Sequence, residues 1–184
     1  YLFRGADLNS GTPLVAGSIE ADSGVGFYAG TWTAGGDSDS GTEIDLYGGY
    51  AFEVADALTL DFHVTNFIFP TRAENGDAAD DNFGDLTEVG VTASAEGASF
   101  TYLNNVAGDS GYEYFNASYG KGPFSIAVGH NSQDNSADDD THVDLGFQFN
   151  EELSFTVSQL VDVPAGSKKS TNFLVSYSRS FSFQ

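Results

Sequence analysis

The strongest constraint on this chain is an alternation of apolar and polar residues with a period of two along most of its length. The segment HVDLGFQFNEELSFTVS, residues 142–158, shows the alternation twice, interrupted by Asn150-Glu151-Glu152. Period two is the repeat of a β-strand, in which successive side chains point to opposite faces. The chain is therefore predicted to be all-β, with one apolar face and one polar face on each strand.

About twelve such segments are separated by clusters of Gly, Asn, Asp, Ser or Pro, a pattern typical of strands joined by turns. The predicted strands lie near residues 1–8, 13–22, 24–34, 42–54, 58–69, 86–96, 98–107, 111–120, 123–132, 141–150, 153–162 and 171–183. No composition break divides them, so we predict one domain over residues 1–184. Because the sequence starts inside an apparent strand and has no Met, we expect a leader and the first few mature residues to be missing.

The predicted connections alternate between short turns and longer, mostly acidic loops. The longer set lies at residues 35–41, 71–85, 107–111, 131–140 and 163–169. Strands that run alternately up and down place all the short turns at one end and all the long loops at the other, as in outer-membrane barrels with short periplasmic turns. With twelve strands, both termini are expected at the periplasmic end.

Two environments fit an alternating barrel: water outside an apolar core, or lipid outside a wet interior. Twelve strands enclose a space too wide for one layer of side chains, since about eight strands already fill it. The polar face carries Ser, Thr, Asn and Gly, and the chain has only three Lys, whereas a soluble outer face is usually rich in Lys and Glu. These observations favour a transmembrane up-and-down antiparallel β-barrel of about 12 strands in a bacterial outer membrane.

Composition excludes several other classes of function. The formal net charge of −21 disfavours nucleic acid as a partner. The absence of Cys excludes disulfides and thiolate chemistry, and no apolar run is long enough for a transmembrane helix. No motif predicts a cofactor or a dedicated metal site.

Ionisable residues on the polar face are the first candidate site, because such groups inside a membrane are costly unless they face water or a partner. By strand parity the candidate pore-lining residues are Arg4, Glu43, Asp45, Asp61, His63, Glu88, His142 and Asp144. We expect Arg4 to pair with Asp45 or Asp61, and the excess of carboxylates to favour cations. The alternative is that these groups form structural ion pairs in a closed lumen.

Two further candidate sites lie elsewhere in the sequence. The acidic loops offer oxygen ligands for weak binding of divalent cations or bridging of lipopolysaccharide, or form a solvated acidic surface; these ligands are Asp80, Asp81, Asp138, Asp139 and Asp140. Arg179 has the parity of the apolar residues Tyr177 and Phe181. It either reaches the membrane edge, contacts a carboxylate of a second subunit in a homo-oligomer, or follows a β-bulge that changes its face.

Catalysis is not expected. His130-Asn131-Ser132 has the residue types of a barrel lipase, but adjacent residues on a strand point to opposite faces and cannot form a triad. The sequence has no nucleophile elbow, so we predict that the protein is not an enzyme.

Four blocks in the first third of the chain resemble the TorF-type porins, proteobacterial outer-membrane proteins of unknown function. The blocks are Tyr1-Leu2-Phe3-Arg4-Gly5, Pro13 with Gly17, Gly26-Phe27-Tyr28-Ala29-Gly30-Thr31-Trp32, and Glu43-Ile44-Asp45-Leu46-Tyr47-Gly48-Gly49-Tyr50. The chain departs from the family at Ala6-Asp7, where a Ser-Gln pair is usual. The resemblance implies an outer-membrane barrel and a pore, with no substrate and no functional residues assigned.

These patterns together predict passive diffusion of small polar or cationic solutes through a narrow acidic lumen. The expected partners are those solutes, outer-membrane lipid and lipopolysaccharide. The alternative is a structural or surface-interaction protein with a packed, non-conducting lumen, and a barrel lipase is the third hypothesis.

Overall fold

The computed structural model describes residues 1–37, 41–71, 82–108 and 111–182, and within these ranges the chain is all-β. Its strands are β1 (Leu2–Phe3), β2 (Ala6–Asp7), β3 (Val15–Asp22), β4 (Phe27–Asp37), β5 (Gly41–Ala55), β6 (Leu58–Ile68), β7 (Leu86–Ala95), β8 (Ala98–Ala107), β9 (Glu113–Lys121), β10 (Phe124–Ser132), β11 (Asp140–Gln148), β12 (Leu153–Asp162) and β13 (Thr171–Tyr177). A single 3-10 turn, Ser136–Asp138, is the only helical element in the described ranges. No helix there has the length and hydropathy needed to cross a bilayer.

Strands β3 to β13 form one eleven-stranded antiparallel sheet in which each strand pairs with the next one along the chain. This order confirms the predicted all-β, up-and-down topology. It places the short connections at one end of the strands, here called the turn end, and the longer ones at the other, here called the loop end. Because the number of strands is odd, the outermost strands β3 and β13 run in the same direction, from the loop end to the turn end.

The predicted first strand, residues 1–8, does not join this sheet. Instead β1 pairs with β2 through Leu2↔Asp7 and Phe3↔Ala6. Arg4 and Gly5 form the two-residue turn between them with φ values of 48° and 87°, as a type I′ turn requires. We call residues 1–9 the N-terminal hairpin. Over the described ranges the large sheet therefore has eleven strands rather than twelve, and Tyr1 does not lie at the turn end, where it was expected.

The two faces of the sheet follow the predicted parity. On the apolar face, large side chains are exposed: Phe100 is 51% exposed, Leu145 54% and Phe173 79%. Only three hydrophobic residues in the described ranges are buried, namely Ala34, Leu103 and Tyr114. This part of the chain therefore lacks the apolar core that stabilises a soluble β-sandwich or barrel.

The sheet curves around its polar face. Strands β4 and β11 are seven strands apart, about 34 Å along a flat sheet with the usual strand spacing. Nevertheless Tyr1 stacks on Trp32 of β4, and Gly5 packs against His142 of β11. Residues 1 to 5 span at most about 15 Å when fully extended. The polar face is therefore concave, and the N-terminal hairpin lies in its concavity.

Candidate functional site

An ion pair inside the concavity fixes the turn of the N-terminal hairpin to the sheet. The guanidinium of Arg4 donates from Nη2 to both carboxylate oxygens of Glu88 on β7, at 2.7 Å each. The two side chains are only 10% and 6% exposed. The predicted partners of Arg4, Asp45 and Asp61, were wrong, because the hairpin turn carries Arg4 to β7 rather than along an outer strand.

Aromatic rings complete the environment of the Arg4 guanidinium. Its Cζ lies 4.6 Å from the ring centroid of Phe3, 4.7 Å from that of Tyr114 and 5.4 Å from that of Tyr112. Burial alone would lower the pKa of Arg4, but the Glu88 carboxylate and the Tyr112 phenol raise it above its usual value. The hairpin therefore brings one permanent cation into the concavity, already neutralised by Glu88.

The backbone of the hairpin is held by strands on both sides of the concavity. Asn131 of β10 donates from Nδ2 to the carbonyl of Arg4 at 3.0 Å. A Cβ at Gly5 would lie 2.7 Å from Cβ of His142, so only glycine fits against that side chain. On the opposite side, the rings of Tyr1 and Trp32 stack with their centroids 5.8 Å apart. The hairpin therefore bridges the concavity from β4 to β11.

A chain of hydrogen bonds lies beneath the hairpin and includes the predicted residues His142 and Asp144. Nδ1 of His142 lies 3.1 Å from Oδ1 of Asp144, and its Nε2 lies 3.0 Å from the hydroxyl of Tyr114. Asn116 donates to the same hydroxyl at 3.1 Å. The His142 side chain is 2% exposed, whereas Asp144 is 29% exposed. His142 therefore belongs to the residues that hold the hairpin, here called its seat: Trp32, Glu88, Asn131 and His142. Asp144 remains partly exposed.

Inward-facing glycines create room for these side chains, a feature that the sequence analysis missed. A Cβ at Gly129 of β10 would overlap both His142 and Tyr114, which meet above it from the two neighbouring strands. Gly90 of β7 is covered in the same way by His63 and Leu103. Glycine inside a strand often marks such a close approach. The sequence places Gly90 and Gly129 inside strands on the polar face, and this position was the available signal that large side chains cover them.

The turn half of the concavity, which the hairpin does not reach, holds a looser set of polar groups. The hydroxyl of Tyr28 donates to the carboxylate of Asp61, at 3.0 and 2.9 Å from its two oxygens. Nδ1 of His63 lies 3.6 Å from Asp61, and these two side chains are 20% and 27% exposed. The hydroxyl of Tyr47 donates to Glu20 at 3.1 Å.

Glu43 and Asp45 lie on β5 at the border of the hairpin, half-buried beside Tyr1. Burial raises the pKa of the Tyr1 phenol, and the negative charges of Glu43 and Asp45 raise it further. Oδ1 of Asp45 is buried, and no group in the described ranges donates a hydrogen bond to it. Seven of the eight predicted pore-lining residues thus lie on the concave face of the sheet, five beside the hairpin and two, Asp61 and His63, in the turn half. The eighth, Arg4, belongs to the hairpin itself.

Comparison with known proteins assigns the chain to a family without assigning it an activity. A family model described as a bacterial protein of unknown function, Gcw_chp, matches residues 1–173. The chain belongs to that family. No curated protein and no solved structure matches it. The function of this Gcw_chp protein must therefore be inferred from its own geometry.

The acidic residues predicted for the loops have local partners in this Gcw_chp protein. Asp138 accepts from Asn135, Asp139 from the backbone of Gln133, and Asp140 from Asn131. In the described ranges no three His, Cys, Asp or Glu side chains are grouped to hold a metal ion. The other two predicted ligands, Asp80 and Asp81, lie outside the described residues.

Two remaining candidates of this Gcw_chp protein lie at opposite ends of the sheet. At the turn end Nε of Arg179 lies 3.7 Å from Glu152 of the same chain, and the Arg179 side chain is 62% exposed. At the loop end His130 contacts Thr141 on the apolar face, whereas Asn131 points into the concavity. His130 and Asn131 therefore point to opposite faces of the sheet, as the alternation of a strand predicts.

Proposed function

We propose that this chain is an outer-membrane channel, similar to the TorF-type porins, through which small polar or cationic solutes diffuse passively. The observation that carries the proposal is the combination of an exposed apolar convex face with a polar concave face. The mechanism would be size exclusion together with electrostatic selection, without a chemical step.

The apolar face supports a lipid environment. Soluble monomers rarely expose a continuous apolar surface larger than a few hundred Å². Here exposed Phe, Val, Ile and Leu side chains cover the outside of consecutive strands, as Phe124, Leu145 and Phe155 do on β10, β11 and β12. Lipid around the sheet would bury this surface and leave water for the concave side.

The charges of the concave face support a preference for cations. Within the described residues, Arg4 is the only Arg or Lys with a contact in the concavity, and Glu88 already neutralises it. In the described ranges Glu43, Asp45, Asp61 and Asp144 have no ion pair with an Arg or Lys. Asp61 and Asp144 contact only His63 and His142 among basic side chains. Acidic groups that line a pore attract cations and repel anions.

Single-channel recording of the purified protein in planar bilayers tests the proposal. We expect ohmic steps whose reversal potential in a KCl gradient indicates cation selectivity. Asp45→Asn and Asp61→Asn should each lower the ratio of cation to anion permeability. Glu113→Gln is the matched control, because Glu113 accepts from Tyr102 on the apolar face and lies outside the concavity.

The alternative function is a structural or surface-interaction protein of the outer membrane with a closed interior. The placement of the N-terminal hairpin in the loop half of the concavity favours it, since the hairpin reduces the open space there. Absence of conductance at high salt, from protein that is folded by circular dichroism, would contradict the channel and favour this alternative. Equal selectivity in Asp61→Asn and Glu113→Gln would contradict the electrostatic mechanism.

A further inference from the structure

We propose that the N-terminal hairpin, residues 1–9, is the constriction of the channel, and that Arg4 and Glu88 are the positioning residues that hold it there. This inference rests on the proposed channel function and deepens it, because a constriction limits flow only if solutes pass. The largest solute that can pass is then set by residues 1–9, a segment whose first eight residues were predicted from the sequence to form a strand of the barrel wall.

The contacts of the hairpin place it across the concavity. It touches Trp32 of β4 through Tyr1, and Glu88 of β7 through Arg4. It touches Asn131 of β10 through the Arg4 carbonyl, and His142 of β11 through Gly5. A solute moving from the loop end to the turn end must pass between this bridge and the part of the wall that it leaves uncovered.

The hairpin is bound to the wall by side chains and not by strand pairing. Both of its strands pair only with each other. Arg4–Glu88 is the only ion pair in the described residues that joins the hairpin to the sheet. The hairpin can therefore leave its seat without breaking any ladder hydrogen bond of the eleven-stranded sheet.

Two substitutions should release the hairpin by independent routes. Glu88→Gln leaves the buried Arg4 guanidinium without its carboxylate, which is strongly unfavourable unless the cation moves into water. Gly5→Ala leaves the ion pair in place but adds a Cβ 2.7 Å from Cβ of His142, at a φ of 87°. In both variants the shared consequence would be that the peptide bond following Arg4 becomes accessible to solvent.

Each variant has a matched control. Glu53→Gln also removes a carboxylate of the polar face, but Glu53 is exposed near the turn end, opposite Thr59 and away from the hairpin. Gly11→Ala also places alanine at a positive φ, of 80°, but no atom lies within 4 Å of the added Cβ. If a variant is cleaved faster than its control, the cause is therefore release of the hairpin, and not the lost charge or the backbone strain alone.

The experiment combines limited trypsin digestion in detergent micelles, fluorescence of Trp32 and single-channel conductance. Trp32 is the only tryptophan of the chain and stacks on Tyr1, so release of the hairpin should shift its emission to longer wavelength. We expect cleavage after Arg4 to be at least about tenfold faster in Glu88→Gln and Gly5→Ala than in the wild type. Single-channel conductance should rise in the same two variants. Both controls should match the wild type in cleavage and fluorescence, and Gly11→Ala should also match it in conductance.

The possible failures are distinguishable. Equal cleavage after Arg4 in the wild type and both release variants would overturn the anchoring role of Glu88. Faster cleavage with unchanged conductance in a conducting wild type would overturn the constriction and leave the channel standing. Absence of conductance in every protein, with the expected cleavage pattern, would overturn the channel and the constriction together. A near-native circular dichroism spectrum and retained heat-dependent electrophoretic mobility establish that a variant has folded.

Discussion

The two halves of the concave face show what one covering segment does to similar polar side chains. In the loop half, His142 is 2% exposed and Glu88 6% exposed, because the N-terminal hairpin lies over them. In the turn half, His63 and Asp61 stand at equivalent inward positions but are 20% and 27% exposed. Strand parity is the same in both halves, so the difference comes from what covers each side chain: residues 1–9 over Glu88 and His142, with Tyr114 also against His142.

The comparison teaches that an inward position does not by itself identify a residue that meets solute. His142 and Glu88 were predicted to line a pore, and both are consumed in holding the hairpin. Asp61 and Asp144 remain 27% and 29% exposed, so in the proposed channel they are carboxylates that a passing ion would meet. Burial therefore separates the carboxylate that holds the hairpin from those that remain accessible to solvent, a distinction that strand parity does not make.

The largest expected effect is the loss of stability on adding one methyl group in the packed half. Gly129→Ala should lower the free energy of unfolding by about 3 kcal/mol, because the new Cβ overlaps His142 and Tyr114, which the hairpin prevents from moving. Gly17→Ala on β3 is the control, since nothing lies within 4 Å of its Cβ. Denaturant titration in micelles, followed by circular dichroism, measures both. A loss no greater than that of Gly17→Ala would show that the loop half is not packed as described.

A smaller effect compares one hydroxyl in each half. Tyr114→Phe should cost about 1–3 kcal/mol of unfolding free energy, because it leaves Nε2 of the buried His142 without a partner. Tyr28→Phe should cost less than about 1 kcal/mol, since water can replace its hydroxyl at the partly exposed Asp61. The same titration measures both variants. Equal losses would mean that the two halves do not differ in access to water.

The smallest effect is expected for an ion pair outside the concavity. Arg179→Ala should change the free energy of unfolding by less than about 0.5 kcal/mol, because Arg179 and Glu152 are well exposed and 3.7 Å apart. This small loss of unfolding free energy is the reference with which the loss on breaking the buried Arg4–Glu88 pair is compared. A measured loss above about 1 kcal/mol, the upper end for exposed pairs, would mean that Arg179 has a contact beyond Glu152 and the Phe181 ring, such as the second subunit considered from the sequence.

Most of the sheet could be predicted from the sequence, because the pattern that defines a strand is local. The face to which Val143 or Asp144 points depends only on its position in an extended segment, and the alternation repeats that information many times. The short turns were also predictable: Glu96-Gly97 adopts positive φ at both residues between paired strands, as the tight hairpins of such a meander require.

The prediction that residues 1–8 join the large sheet was wrong, and the reason also lies in local backbone geometry. Residues 1–8 were predicted to form a strand with Arg4 facing inward, but Gly5 permits a turn that folds the segment back on itself. Whether the segment joins an edge or enters the concavity depends on the seat available to it, and that seat is assembled from β4, β7, β10 and β11.

The sequence by itself therefore determined the all-β class, the order of the strands and the face of each side chain, because these follow from local backbone geometry. Only the tertiary structure decided that Arg4 pairs with Glu88, that Gly129 makes room for His142 and Tyr114, and that half of the predicted lumen is covered. Those contacts join residues up to 137 positions apart, between Gly5 and His142. They exist because curvature of the sheet brings distant strands to within the reach of one short hairpin.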